Sequence, residues 1–343
     1  MANGDEAADQ RRAVMRLMLG YMASHALGAA ARTGLVDLIG DGRRSAEDLA
    51  GDLGLPQQSA SRLMRALAAL GLLTEEEPGR FGVSGAGALL RSDRPDSVRG
   101  MVRMFTDPAM MRAWEGIDES LRTGETSFDR MFGTDFFSHL GTDPELSALF
   151  NTAMSQGTRS VADALPARYE FASAAAVMDI GGGDGTLIAA VLGANPGMRG
   201  TVFDTAEGAA QAPGRLEEAG VADRCTVAAG DFFEGVPAGA DVYLLKSIVH
   251  DWDDRRAATI LSHVRAVVPD HGRLLIVEPV LPATVPPEGF SGLYLTDLNM
   301  LVNVGGRERT RDDFDALCAA SGFAVSDVVP LAAGFSAIEA VPV

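Results

Sequence analysis

The sequence predicts an α/β protein: a seven-stranded, mostly parallel sheet flanked by helices, preceded by a mostly helical module with a winged-helix pattern. Three observations carry this. From residue 174 onward, short β-branched runs alternate with helical stretches, as a parallel sheet covered on its faces requires. The first run is followed by Gly181-Gly182-Gly183-Asp184-Gly185 and then by a helical stretch. Residues 45–84 read as helix, turn, helix, hairpin.

The chain length, 343 residues with 47% hydrophobic content, suits two domains with ample core. A formal net charge of -18 argues against a nucleic-acid partner, because phosphate neutralisation needs clustered Lys and Arg. Cys225 and Cys318 lie far apart without metal-type spacing and read as buried thiols in a reducing compartment. No apolar run approaches the ~18 residues of a membrane span. The apolar-rich stretch 15–36 carries Arg16, His25 and Arg32 and suits a buried helix. No membrane association and a cytoplasmic location are expected. Of the 29 basic residues, 28 are Arg and one, Lys246, is Lys.

In the N-terminal part, residues 11–40 read as one or two helices from the spacing of Val14, Met18, Tyr21, Met22 and Leu27. Ser45-Ala-Glu-Asp48 resembles a capping box opening a short helix that ends at Gly54. A second helix runs from about Gln57 to Leu70, and a hairpin spans 72–84 around Pro78-Gly79. The helix that would enter a DNA groove offers only Arg62 and Arg65, so a structural or dimerising module is expected over a DNA reader. Asp107-Pro108 and Asp143-Pro144 mark two further helix starts, and Asp135 caps a third. Residues 101–154 hold six of the 14 methionines, with Phe105, Trp114, Phe132, Phe136 and Phe137. Met adapts to irregular shapes, so this stretch suits a substrate lid. The expected domains are 1–100, the winged-helix-like module; 101–165, the lid; and 166–343, the α/β domain.

Five strands are read from 175–180, 199–204, 223–231, 240–249 and 272–280, with helices such as 187–195 and 253–268 between them. Two more strands, joined through Ala332-Ala333-Gly334, close the sheet. The turn after the first strand reads D-x-G-x-G-x-G from Asp179 through Gly181 and Gly183 to Gly185. Glycines let the backbone approach a ligand closely. Asp204 ends the second strand, where a carboxylate accepts ribose hydroxyls. These features alone fit NAD or S-adenosylmethionine. Asp179 and Asp184 favour the latter, since they repel a pyrophosphate and suit a sulfonium and an amino group. Asp231-Phe232 at the third strand end matches an adenine amino group and ring.

His250 is expected at the mouth of the sheet, one strand beyond this site, unlike His25, His139, His263 and His271. Glu278 ends the neighbouring strand, and Glu308 precedes a helix that Thr310 and Asp313 cap. His250 is the candidate general base, with Glu278 or Glu308 holding its other nitrogen and selecting the tautomer. A phenol of pKa near 10 is only ~0.1% ionised at pH 7, which is the range general-base assistance covers. A metal site at His250, Asp251, Asp253 and Asp254 is disfavoured, because adjacent side chains at a corner diverge and Asp253 and Asp254 suit a helix's first turn.

In order along the chain, VMDIGGGDG, FD, GDFF, LLKSIVHDW, VEP and GGRERT resemble the plant caffeic-acid-type O-methyltransferases and their bacterial relatives in antibiotic tailoring. The resemblance covers about residue 12 to the end. It implies a winged-helix-like dimerisation domain, hence a homodimer, and a Rossmann-like methyltransferase domain of the seven-stranded type. It implies S-adenosylmethionine contacts at Gly181, Asp204, Asp231, Phe232 and Lys246, a base at His250 and flanking glutamates at Glu278 and Glu308. Phe105, Trp114, Met154, Met300 and Asn303 fall in the family's substrate-lining regions, and Asp251 beside the base joins them. The implied reaction is metal-independent methylation of a hydroxyl on an aromatic or polyketide-like natural product. Asp204-Thr205 departs from plant members, which carry a bulkier apolar second residue. Two rival readings are a non-methylating relative with decarboxylase, hydroxylase or cyclase chemistry, and a DNA-binding regulator with a relict cofactor domain.

Overall fold

Two units divide the chain, Met1–Met111 and Arg112–Val343. The computed structural model describes residues 2–171, 174–286 and 292–343, with side chains from residue 7 onward.

In the first unit, Ser45 caps the helix Ala46–Leu53, its side chain accepting from Asp48 N. Gly54 ends that helix in the left-handed region at φ 63°, where only glycine sits without cost. The helix Gln57–Ala69 follows. Strands β1 (Arg43–Ser45), β2 (Leu73–Glu77) and β3 (Arg80–Val83) form an antiparallel sheet in the order β1-β3-β2. Leu35, Leu49, Met64, Leu67 and Phe81 form its core. This is the helix, turn, helix, hairpin order read from the sequence.

The stretch 11–40 differs from its expectation. It holds parts of three helices, Ala2–Met18, Gly20–Thr33 and Leu35–Ile39. Gly34, at φ 68°, donates to Ala30 O and turns the chain between the last two. Val14, Leu17, Met18, Tyr21 and Met22 are exposed, Leu17 at 82%. The span 101–165, expected as one lid, is divided. The helix Arg99–Phe105 stays with the first unit, since Arg99 donates to Ala31 O and pairs with Asp37 at 2.6 Å. The rest from Arg112 belongs to the second unit.

The second unit opens with short helices and the long helix Pro144–Arg168. Asp143 caps it through the N–H groups of Glu145 and Leu146. Asp135 caps Phe136–Thr142 in the same way. Then come β4 (Ala176–Ile180), β5 (Arg199–Asp204), β6 (Cys225–Ala229), β7 (Val242–Lys246), β8 (Arg273–Leu281), β9 (Arg309–Thr310), β10 (Phe323–Pro330) and β11 (Phe335–Pro342). Their order is β10-β11-β8-β7-β4-β5-β6, with β9 beside β8. Strands β4 to β8 pair in parallel, while β11 runs antiparallel to both β8 and β10. The expected seven strands are present, and β9 adds a two-residue eighth.

Strand β7 is buried on both faces from Val242 to Leu245, as a central parallel strand between helix layers must be. The strand order reverses between β4 and β7, and open α/β sheets bind ligands outside the carboxyl ends of strands at such a switch point. The glycine turn leaves β4 there and the His250 turn leaves β7 there. Among the described residues, no helix is long and apolar enough to cross a membrane.

Candidate active site

Strand β4 delivers Asp179 and then the glycine turn. Gly181 has φ 68° and its N–H donates to Phe203 O at 2.7 Å. A Cβ there would also collide with the Ile248 side chain. Gly183 N donates to Asp204 Oδ2 at 2.8 Å, and Thr205 N donates to Asp204 Oδ1 at 2.7 Å. Asp204 is thereby aimed at the loop with lone pairs to spare. Burial pushes its carboxyl up against the opposing effect of those N–H groups.

Asp184 has a structural use as well. Its Oδ1 accepts from Thr186 N at 3.0 Å, so it helps start the helix Thr186–Ala194. Asp179 is 2% exposed and its Oδ2 has no partner among the described residues. Burial, then repulsion by Asp204, pushes its pKa up to about 7. Asp231 is exposed and its Oδ1 accepts from Phe233 N at 2.7 Å. Phe232 packs edge-on with Phe233, and His263 holds the Phe232 carbonyl at 2.8 Å. Lys246 ends β7 with Nζ 5.1 Å from the Phe335 ring centroid. Burial pulls its pKa down to about 8 against the attraction of Asp251, Asp179 and Glu278.

After Lys246 the chain turns sharply. Ser247 takes φ 55°, a conformation that costs a non-glycine residue energy and persists where surroundings over-determine it. His250 sits in the one-turn helix Val249–Asp251 rather than on the strand itself. Its Nδ1 lies 3.1 Å from Glu308 Oε1, so Nδ1–H donates to that carboxylate and Nε2 is the ring nitrogen that Glu308 leaves unengaged. Glu278 grips the backbone instead, its Oε1 accepting from Ile248 N at 3.1 Å and His250 N at 3.0 Å. The two glutamates thus divide the work: Glu308 orients the ring and Glu278 the turn that carries it. Asp251 Oδ1 stands 3.6 Å from Nε2, so whatever approaches Nε2 also meets Asp251.

These charges act on each other strongly. Burial alone would lower the His250 pKa, but Asp251, Glu278 and Glu308 together push it up to about 10. Burial raises Asp251 to about 7 despite the imidazolium beside it. Glu278 is likewise raised, by burial first. Asp179 Oδ2, Glu278 Oε2, Glu308 Oε2, Trp252 Nε1 and Asn303 Oδ1 are buried without partners among the described residues. Buried polar atoms are nearly always paired, so their concentration here marks a site built for polar ligands.

Several supporting residues escaped the sequence reading. Gly306 passes so close to the base turn that a Cβ would collide with the backbone of His250, Asp251 and Trp252. Asp297 accepts from Glu308 N at 2.8 Å. Arg309, fully buried, donates to Val249 O and Trp252 O at 2.9 and 3.0 Å and pairs with Asp254 at 2.8 Å. Gly306 and Arg309 lie within the GGRERT run, whereas Asp297 lies on the preceding helix Gly292–Asn303 and left no signal. Asp253 caps the helix Asp254–Val267 and Asp254 serves Arg309.

Of the expected substrate set, Trp114 and Asn303 meet through Asn299, a residue the sequence reading did not name. Trp114 Nε1 donates to Asn299 Oδ1 at 3.1 Å, and Asn303 Nδ2 donates to the same oxygen at 2.9 Å. Met300 is buried on the same helix, Gly292–Asn303. Met154 lies half-buried on Pro144–Arg168, next to Ser155, which meets Thr186 of the cofactor-loop helix at 3.2 Å. Phe105 lies in the other unit, at the end of Arg99–Phe105, 43% exposed.

A glycine turn, carboxylates at successive strand ends and a histidine between two glutamates define a nucleoside-binding transferase domain. The chain belongs to the O-methyltransferase family. Residues 114–324 match the O-methyltransferase domain and residues 15–93 the O-methyltransferase dimerisation domain. The chain is 48% identical over 334 residues to O-demethylpuromycin-O-methyltransferase of Streptomyces alboniger, covering 96% of this chain and 89% of that one. It is similar to the structure of an O-methyltransferase from neocarzinostatin biosynthesis in complex with S-adenosylmethionine and 2-hydroxy-5-methyl naphthoic acid. That match has a TM-score of 0.80 and 33% identity and covers 94% and 96% of the two chains. It is also 34% identical over 339 residues to aclacinomycin 10-hydroxylase of Streptomyces purpurascens, covering 94% and 87%. The family agrees with the enzyme class and the S-adenosylmethionine expected from the glycine turn.

Proposed function

We propose that this protein transfers a methyl group from S-adenosylmethionine to a hydroxyl, phenolic in character, on a small aromatic natural product, with His250 as general base. The observation that carries this reading is the His250 ring held by Glu308 through Nδ1, which leaves Nε2 to take a proton. The cofactor fits the residues present. Asp179 offers an unpartnered buried acceptor, Asp204 and Asp231 offer carboxylates at strand ends, and Gly181 and Gly183 open the turn to close approach. When bound, S-adenosylmethionine supplies an electrophilic methyl on a sulfonium.

His250 Nε2 accepts the hydroxyl proton as the oxygen becomes nucleophilic. Glu308 keeps the tautomer and stabilises the resulting imidazolium, and Asp251 beside Nε2 adds to that stabilisation. Trp114, Asn299, Asn303, Met300 and Met154 shape the acceptor site. This reading asks for no metal, and it leaves Asp253 and Asp254 to their roles as cap and ion-pair partner. The exposed row Val14 to Met22 lies in and beside the region matching a dimerisation domain, and we assign it to a homodimer interface.

The reading also sets a pH dependence. The carboxylates raise the His250 pKa, so the ring is protonated and unable to accept a proton at low pH. The acid limb of kcat/KM for the acceptor is therefore expected above pH 6.5, toward 10. Bound cationic cofactor opposes the imidazolium and moves the limb down from that limit. In Glu308→Gln the limb moves lower still, because one supporting charge is gone. A limb at or below 6.5 in the wild type contradicts the arrangement.

The direct test is turnover. The purified protein is incubated with S-adenosylmethionine and a panel of hydroxylated aromatic acids, quinones, phenazines and aminonucleosides. The expected products are S-adenosylhomocysteine and an acceptor heavier by one methyl group. The hydroxylase similarity favours a second reading, in which the cofactor binds and is not consumed. Acceptor conversion without S-adenosylhomocysteine would establish that one.

A further inference from the structure

Arg309 is the largest fully buried side chain of the described residues, and all five of its N–H donors have acceptors. Nε and Nη2 donate to Asp254 Oδ1 at 3.1 and 2.8 Å. Nη1 donates to Val249 O at 2.9 Å and more weakly to Arg307 O at 3.4 Å. Nη2 donates also to Trp252 O at 3.0 Å. The two carbonyls it takes from the base turn flank His250, one before it and one after. The turn's N–H groups at Ile248 and His250 are taken by Glu278. The backbone carrying the base is thus held by an anion through its donors and by a cation through its acceptors.

The guanidinium is anchored in its turn. β9 pairs with β8 through Val280 and Arg309, just beyond Glu278. Asp254 opens the following helix and is itself partly exposed, and Arg307 pairs with its second oxygen at 3.0 Å. Glu308 and Arg309, adjacent in sequence, therefore reach the same turn by different routes, one to the ring and one to the main chain. A buried arginine is costly to desolvate, and only a planar fork with five donors makes all these bonds at once. Ser247 immediately upstream is in a strained conformation of the kind that relaxes when its surroundings loosen.

We propose that Arg309 is a positioning residue for the proton transfer: its guanidinium clamps Val249 O and Trp252 O so that the His250 ring stays on Glu308 with Nε2 facing the acceptor. The proposal rests on His250 being the base. Every Arg309 donor is taken by a protein acceptor, and its loss acts on kcat through His250.

The test is a double-mutant cycle between Arg309→Lys and His250→Ala, with Asp254→Asn as a milder second variant at a partly exposed residue. Misplacing a catalytic group by about 1 Å costs roughly 10²-fold, which is the fall in kcat expected for Arg309→Lys. Removing the anchoring charge in Asp254→Asn is expected to cost roughly 10-fold. In both, the Kd for S-adenosylhomocysteine stays at the wild-type value, and the acid limb of the pH profile shifts down as the ring slips from Glu308. In the His250→Ala background both variants are expected to change kcat less than about twofold, because the group they position is gone. Equal losses in both backgrounds overturn the proposal, as do unchanged kcat or a loss of S-adenosylhomocysteine affinity matching the loss of kcat. If Arg309→Lys does not fold, Asp254→Asn decides by the same criteria. If His250→Ala alone leaves kcat unchanged, the base assignment fails separately, and the His250-mediated role of Arg309 is overturned with it.

Discussion

His250→Ala is expected to lower kcat about 10²–10⁴-fold while S-adenosylhomocysteine binds as in the wild type. The two halves follow from different parts of the sheet. The residues proposed for the cofactor, Asp179, Gly181, Gly183, Asp204 and Asp231, lie at or just beyond the ends of β4, β5 and β6, and none of them bonds the His250 side chain. The proposed base stands in the turn after β7, its ring fixed by Glu308 and its backbone by Glu278. Removing the imidazole leaves the acceptor hydroxyl to ionise by itself, and for a phenol of pKa near 10 the ionised fraction at pH 7 is ~0.1%. Alignment of acceptor and methyl donor is a separate contribution, so residual activity above the uncatalysed rate is expected. Isothermal titration with S-adenosylhomocysteine and steady-state turnover together check both halves. Unchanged kcat removes His250 as the base.

Gly306→Ala is expected to destabilise the protein and to slow turnover together. The position is an approach problem rather than a backbone one: neighbouring Gly305 has φ 78°, whereas Gly306 is not in the positive-φ region. Its added Cβ would lie about 2.6 Å from Trp252 N and closer still to His250 O. Those are main-chain atoms, so neither a rotamer change nor a small side-chain movement relieves the clash. Overpacking of this kind costs about 1–3 kcal/mol, which in a unit of this size lowers Tm by roughly 2–10 °C. The displacement falls on the turn carrying the base, so kcat falls as well. The control is Gly193→Ala, on the exposed side of the helix Thr186–Ala194 with nothing within 4 Å of the added Cβ. Replacing that helical glycine is expected to be neutral or to stabilise by up to about 1 kcal/mol. A Gly306→Ala protein with wild-type Tm and kcat contradicts the packing described for this loop.

Much of the architecture was legible because it is written locally. Period-two and period-3.6 patterns are properties of consecutive residues, and they located the parallel strands, the winged-helix order and the closing hairpin. Caps are equally local: Ser45, Asp135, Asp143 and Thr310 all do what their types and spacings imply. His250 stood out among five histidines because it follows a strand at the mouth of a sheet. The division of labour between Glu278 and Glu308 was not legible, since both lie at the right depth. Which carboxylate meets an imidazole and which meets a main chain depends on side-chain direction across two neighbouring strands. Asp184 has a local use the sequence reading did not name: its carboxylate accepts from the helix N–H two residues on. Arg309 was hidden differently. Among 28 arginines nothing in composition separates the one fully buried residue from those on the surface. Its burial arises from a two-residue strand too short to leave a pattern.

The central claim is that His250 removes a proton from a hydroxyl as that oxygen accepts a methyl group. It is tested most directly by single-turnover methyl transfer in wild type and His250→Ala, with ring-halogenated analogues of one acceptor whose phenol pKa values span about 7 to 10. Measured on the alkaline side of the wild type's acid limb, where His250 is neutral, the variant is expected to be slower near pKa 10 by the factor to which that phenol is un-ionised, at most about 10³-fold for a limb near pH 7. Near pKa 7, where about half or more of the acceptor is already ionised, the deficit is expected to shrink to within a few-fold. A deficit that stays constant across the series, or is absent throughout, contradicts the assignment of His250 as the base.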